Sequence, residues 1–105
     1  MSALGDRLER LAATIASRRD ADPAQSWSAR LLNDRELAAK KLAEEAIELS
    51  LASVAGRRDG VVAESADLIY HWLALLAGAG VSLDEIAGAL EAREGRSGVD
   101  EKASR

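Results

Sequence analysis

Apolar residues return along the first fifteen positions at Leu4, Leu8, Leu11 and Ile15, while Asp6, Arg7, Glu9 and Arg10 occupy the other side. Spacings of four, three and four predict an amphipathic first helix with one solvated face. The pattern breaks from Asp20 to Ser28 around Pro23, the single proline, whose ring biases the preceding residue away from helix. Within that break, Ser26, Trp27 and Ser28 carry no assignable secondary structure. A long second helix is predicted from Asn33 to about Ala55, with the Asn33 side chain as cap and Glu36 reaching back in capping-box fashion. Gly56 is its stop. Gly56 to Gly60 then forms a five-residue connection, short enough to turn the next helix back antiparallel. The third helix is predicted from about Val61 to Ala77, closed by Gly78 to Gly80. A fourth starts at Ser82, whose Ser-x-x-Glu spacing to Glu85 is a second capping box, and fades near Gly95. The tail from Gly95 to Arg105 is small, polar and charged, and is expected to be mobile. No alternation of the kind that marks strands is present, so the fold class is all-α around a central antiparallel helical hairpin.

Acidic residues interrupt this greasy hairpin at matched places. Glu45 and Glu48 lie three apart and Glu44 and Glu48 four apart, which puts all three carboxylates on one side of the second helix. Leu42, Ala46 and Leu49 flank the acids on one side, and Ile47, Leu51 and Val54 lie beyond the other. On the third helix Glu64, Asp67 and His71 fall within about 60° of one another, and apart from Ser65 everything else between Val61 and Ala77 is apolar. A helix apolar around its whole circumference is a buried helix, so these charges are expected to be buried or to line a cleft. Glu48 stands eight residues before Gly56 and Asp67 seven after Gly60, about 12 and 10 Å along their axes, so the two acid pairs can meet across the hairpin. Burying such carboxylates unpaired costs several kcal/mol each, and Lys40 and Lys41 alone cannot balance them. All-oxygen ligation suits a hard cation. The expectation is therefore on the order of one to three Mg²⁺ ions, with Mn²⁺ as a substitute, held by Glu45, Glu48, Glu64 and Asp67.

Composition narrows the remaining choices. The 105 residues, numbered 1–105, suffice for one domain, and the surface-to-volume ratio of so short a chain favours a dimer. A net charge of −4 leaves no excess of Lys and Arg for broad contact with nucleic acid or an anionic membrane. With no cysteine and one histidine, disulfides, thiolate zinc sites, cysteine nucleophiles and histidine-rich zinc sites are excluded. The N-terminus lacks the basic-then-apolar plan of a secretory signal, and the apolar run from Leu68 to Val81 is shorter than the roughly 20 residues of a membrane span. A cytoplasmic protein is expected. His71 reads as a hydrogen-bonded histidine near a helix interface, and Tyr70 and Trp72 as core. Trp27, in a loop, is as suited to a ligand as to the core.

Taken together, Glu45-x2-Glu48-x15-Glu64-x2-Asp67 resembles the four-acid signature of the all-α, MazG-like nucleoside triphosphate pyrophosphatases. Within that group, the run from Lys40 to Glu48 and the run from Glu64 to His71 are similar to those of the phosphoribosyl-ATP pyrophosphatases, enzymes of the second step of histidine biosynthesis. The segment from Ser26 to Leu31 is similar to the family's Ser-Tyr-Thr-Ala-Lys-Leu, and that from Gly80 to Ile86 to the start of its last helix. Trp27 stands where Tyr is usual, Arg30 where Lys is usual and Ala43 where Gly is common; no presumed metal ligand is altered.

The resemblance implies a four-to-five-helix MazG-like bundle completed by dimerisation, with sites near the subunit interface. It also implies Mg²⁺-dependent hydrolysis of phosphoribosyl-ATP to phosphoribosyl-AMP and pyrophosphate. On that reading Glu45, Glu48, Glu64 and Asp67 hold the metal while water attacks the α-phosphorus. Glu44 orients or deprotonates that water, and Glu44, Glu45 and Glu48 form the catalytic set. Lys41, with Lys40, Arg30 and Trp27, contacts the substrate. Two alternatives share these residues: a general pyrophosphatase acting on deoxynucleoside triphosphates, and a non-catalytic helical dimerisation module whose acids meet a partner's basic residues.

Overall fold

Local chemistry at the helix ends explains the element order. The computed structural model describes residues 2–94, and these form five helices: α1 (Ala3–Ala16), α2 (Trp27–Leu32), α3 (Arg35–Val54), α4 (Arg58–Ala79) and α5 (Leu83–Ala92). Ser2 caps α1 by accepting the Gly5 N–H. Asp34, one residue after the expected Asn33, caps α3 by accepting from Leu37 N–H at 3.0 Å. Asn33 instead closes the preceding short helix, its Nδ2 donating to the Ala29 carbonyl at 2.7 Å. Two polar residues in tandem both suit the cap, and the helix in front takes the first. The Ser82–Glu85 capping box forms as expected and starts α5.

The hairpin of α3 and α4 is tighter than its glycine spacing suggests. Gly56, at φ 70°, lets the chain leave α3. Gly56 N–H then donates to the Ser53 carbonyl and Arg57 N–H to the Ala52 carbonyl, the paired bonds that close a helix through a left-handed residue. Helix α4 begins at Arg58, three residues before the expected Val61, so only residues 55–57 connect the two helices. Gly60 is absorbed into the first turn of α4. At the other end Gly80, at φ 73°, terminates α4 in the same way.

Helices α1 and α2 pack on the C-terminal half of α4, where Ile15, Leu31, Leu32, Ala38, Leu73 and Ala74 form the core. Arg19 fastens this end by donating to the Ala77 carbonyl at 2.9 Å. Helix α4, with 22 residues and an 18-residue window of mean hydropathy 1.2, is long and apolar enough to cross a membrane by length and composition. Its contacts with α1, α2 and α3 make it the central helix of the bundle. Helix α5 buries none of its own residues and reaches the core only through Leu83, packed against it. The expected mobile tail from Gly95 lies outside the described residues.

Among the described residues, one apolar surface is left uncovered. Ile47, Leu51 and Val54 follow one another at helical spacing along α3 and are 60%, 61% and 88% exposed, and Val62 on α4 is exposed as well. Among the described residues, only the C-terminal half of α4 is therefore enclosed, although its N-terminal half is also largely apolar apart from its charged residues.

Candidate active site

The antiparallel turn places the acids of α3 beside those of α4. Ligand oxygens of Glu45, Glu48 and Glu64 lie within 4.8 Å of one another. Glu45 is 7% exposed, Glu64 is half-buried and Glu48 faces solvent. Asp67 is exposed and its carboxylate stands outside that set, although its charge acts on both Glu45 and Glu64. The expectation of general burial is thus met at Glu45 and in part at Glu64. Glu48 and Asp67 are open because no element among the described residues covers the hairpin at their level.

Two carboxylate oxygens, Glu45 Oε2 and Glu64 Oε2, are buried without a hydrogen-bond partner among the described residues. An acceptor in that condition carries its full desolvation cost. Burial, and then the neighbouring carboxylate of Glu48, raises the Glu45 pKa above its ordinary value of 4.5. Burial first, and then a hydrogen bond and repulsion from Glu48, does the same for Glu64. Three hard oxygen donors converging from two helices, two of them orphaned, form a set that a divalent cation satisfies. The residues present therefore fit a metal of the Mg²⁺ class.

The remaining candidates fall into two groups. Glu44 does not join the acidic set; its Oε2 pairs with Lys41 Nζ at 3.1 Å. That hydrogen bond, followed by the Glu44 charge, holds Lys41 further in its charged form. Lys40, one residue earlier, is exposed. Trp27 and Arg30 sit on α2, with the Arg30 guanidinium carbon 5.7 Å from the centroid of the Trp27 ring. Arg30 also donates to the Pro23 carbonyl from Nε and from a terminal nitrogen, at 3.3 and 3.2 Å.

Helix α2 was expected to begin as irregular chain. Ser26 caps it by accepting from Ala29 N–H at 3.1 Å, and Trp27 is its first residue. Two side-chain hydrogen bonds tie it to α4: Trp27 Nε1–H donates to His71 Nε2 at 3.2 Å, and Ser28 and Tyr70 share a hydroxyl contact at 2.6 Å. Ser26, a residue type suited to a helix cap, is the local signal that could have placed the start of α2. Pairing of Ser28 with Tyr70 required the fold. A groove of about 530 Å³ between α1 and the start of α5 contains none of the four acids, so the candidate chemistry lies on the open side of the hairpin.

Comparison with known proteins identifies the family. A family model described as phosphoribosyl-ATP pyrophosphohydrolase matches residues 8–94, a span that includes every residue of the site. The chain belongs to that family. It is 63% identical over 102 residues to the phosphoribosyl-ATP pyrophosphatase of Caulobacter vibrioides (strain NA1000 / CB15N), covering 97% of this chain and 95% of the relative. Identity is 58% over 105 residues to the enzyme of that name from Caulobacter sp. (strain K31), covering 100% and 98% of the two chains. It is 48% over 99 residues to that of Cereibacter sphaeroides (strain KD131 / KCTC 12085), covering 93% and 96%. The family is one of hydrolases, and the all-α architecture expected from the resemblance is the one observed among the described residues.

Proposed function

We propose that this chain hydrolyses phosphoribosyl-ATP to phosphoribosyl-AMP and pyrophosphate, in the second step of histidine biosynthesis. The observation that carries the reading is the convergence of Glu45, Glu48 and Glu64, with two orphaned buried oxygens, in a member of this family. Glu45, Glu48 and Glu64 would hold Mg²⁺, with Asp67 completing the set from the next turn of α4. Bound there, the cation supplies charge neutralisation for the triphosphate and for the pyrophosphate that leaves.

The chain's own residues account for the other steps. Lys41 is a phosphate ligand, with exposed Lys40 behind it. A triphosphate that takes Lys41 as its partner releases Glu44 from the 3.1 Å ion pair. Glu44, the carboxylate of this stretch outside the metal set, then orients the attacking water and takes its proton. As water adds to the α-phosphorus, the bond to the bridging oxygen breaks and its electron pair leaves with pyrophosphate. Trp27 offers the purine a π face and Arg30 a guanidinium; base stacking on an aromatic ring is worth about 1–3 kcal/mol.

A second copy of the chain completes the site on this reading. The exposed stripe of Ile47, Leu51 and Val54 runs along the helix that carries Glu48, and α5 buries nothing of its own. A homodimer that covers the stripe also excludes water from the acids beside it. The protein works on a nucleotide, without nucleic acid or membrane, in the cytoplasm.

Incubation with phosphoribosyl-ATP and Mg²⁺, followed by separation of products, tests the function. Phosphoribosyl-AMP and pyrophosphate in equal amounts are expected. Turnover of deoxynucleoside triphosphates with phosphoribosyl-ATP left intact would overturn it in favour of a general pyrophosphatase. No turnover of either, with no Mn²⁺ binding, would leave a non-catalytic helical module.

A further inference from the structure

His71 is the chain's one histidine and, with Glu45, one of two polar or charged residues buried among the described residues. Both of its ring nitrogens are engaged. Nδ1 lies 2.8 Å from the backbone carbonyl oxygen of Asp67, one turn earlier on α4. A carbonyl can only accept, so the proton on that bond belongs to Nδ1. Nε2 lies 3.2 Å from Trp27 Nε1, and an indole N–H can only donate, so Nε2 carries no proton. The two partners together select the neutral imidazole protonated at Nδ1. Any other form loses the bond to Trp27 or the bond to Asp67.

The surroundings hold the ring in that role. Tyr70 packs edge-on against it with centroids 5.0 Å apart, and Trp27 does so at 6.3 Å. Tyr70 itself meets Ser28, so two consecutive residues of α4 grip two consecutive residues of α2. Trp27 remains 39% exposed, which leaves ring surface free beside the Arg30 guanidinium. On the far side of the imidazole is the helical turn that carries Asp67.

We infer that His71 is a positioning residue that fixes the Trp27 ring relative to the acidic set on α3 and α4, as the neutral Nδ1–H tautomer. It touches neither phosphate nor metal and acts through Trp27, setting the distance between the end of the substrate that stacks and the end that is hydrolysed. This role rests on the substrate reading above, whereas the tautomer does not.

Four full-length variants and one spectroscopic measurement test it. Trp27→Phe keeps an aromatic ring and removes the donor, while His71→Leu removes both contacts. His71→Gln puts an amide oxygen where Nε2 stood and serves as the rescue. With phosphoribosyl-ATP, Trp27→Phe and His71→Leu are each expected to raise KM about 2- to 10-fold, the worth of one net hydrogen bond. Values of kcat and the Mn²⁺ affinity should stay within about twofold, and Gln should recover most of KM. The double variant Trp27→Phe/His71→Leu should be no worse than the poorer single change, because both break the same link.

Loss of kcat or of Mn²⁺ affinity with KM unchanged, or fully additive effects, would overturn the role. Should His71→Leu fail to fold, Trp27→Phe and the rescue variant still decide it. Independently of any substrate, nitrogen-15 NMR of the single histidine in the unaltered protein should show Nδ1 protonated and Nε2 bare. An Nε2–H tautomer, or a ring averaging between the two, would overturn the inference. If phosphoribosyl-ATP is not turned over but the Nδ1–H tautomer is found, the functional reading fails and the link between the helices stands.

Discussion

Glu45 on α3 and Glu64 on α4 each bury a carboxylate oxygen, Oε2, that no donor among the described residues reaches, and their ligand oxygens meet within 4.8 Å together with that of Glu48. Helical spacing brings Glu48 near Glu45, but only the three-residue turn at Gly56 brings Glu64 to both. That convergence is the ground for the proposal that a cation is held there.

Stability should therefore fall as pH rises when no metal is present. The folded-state pKa values of Glu45 and Glu64 are raised above the ordinary 4.5, so the native protein holds more protons than the unfolded chain from that value up through the raised ones. Their contribution is favourable to folding at low pH and is lost across that window. In chelator, Tm is expected to be higher near the bottom of the window than at neutral pH. Addition of Mn²⁺ at neutral pH should reverse the loss, by about 2.7 kcal/mol at a hundredfold excess over Kd. Thermal scans across pH with and without Mn²⁺ measure both effects, and a flat profile would count against the buried acids.

Removing the charge of Glu45 should separate stability from function. Glu45→Gln relieves the repulsion and keeps the shape, so the metal-free protein should melt at a higher temperature than the parent while kcat/KM falls at least about 100-fold. Titration calorimetry with Mn²⁺ should show weakened binding in Glu48→Gln and Asp67→Asn also. Binding equal to the parent in all three variants would remove the metal site from this hairpin.

The two lysines should differ. Lys41 is poised on Glu44 at 3.1 Å, whereas Lys40 is exposed. Lys41→Met should raise KM and also lower kcat, since it removes a phosphate ligand and changes the environment of Glu44. Lys40→Met should act mainly on KM, and by less. Steady-state kinetics of the pair is the measurement, and equal effects would argue against a special place for Lys41.

Ser26→Ala tests whether α2 is a functional support. Losing the bond to Ala29 N–H should cost about 1 kcal/mol, typical of a helix cap. In a domain of this size that is roughly 4–8 °C in Tm. Because α2 carries Trp27 and Arg30, KM should rise with little change in kcat.

Leu51→Glu addresses the uncovered stripe. Leu51 is 61% exposed within one chain, so the substitution should leave the fold of that chain intact by circular dichroism. Sedimentation should show a dimer for the parent and a monomer for the variant, with activity reduced. A parent that sediments as a monomer would show that the stripe has another use.

The elements were legible to different degrees for identifiable reasons. Helix α1 follows from apolar periodicity, α3 and α5 from caps such as the Ser82–Glu85 box, and α4 from its apolar run bounded by Gly60 and Gly78. Helix α2 is only six residues long, too short for a periodic signal, and its stability comes from its contacts with α4. Asn33 and Asp34 are both good caps, and the choice between them depended on the existence of α2. Gly60 looked like the end of a turn, yet Gly56 alone supplies the left-handed residue the chain needs.

By itself the sequence determined the all-α class, the hairpin and the acid-bearing faces, because each depends on contacts within a few residues along the chain. The family could also be read from it, since the acid spacings and the segments from Ser26 to Ile86 are local patterns. Only the tertiary structure decided which carboxylates converge, that Glu45 is buried while Glu48 and Asp67 are open, and that Trp27, His71 and Asp67 form one connected line. Those depend on the depth of the turn and on what covers each helix, and residues 44 positions apart, such as Trp27 and His71, meet only through packing.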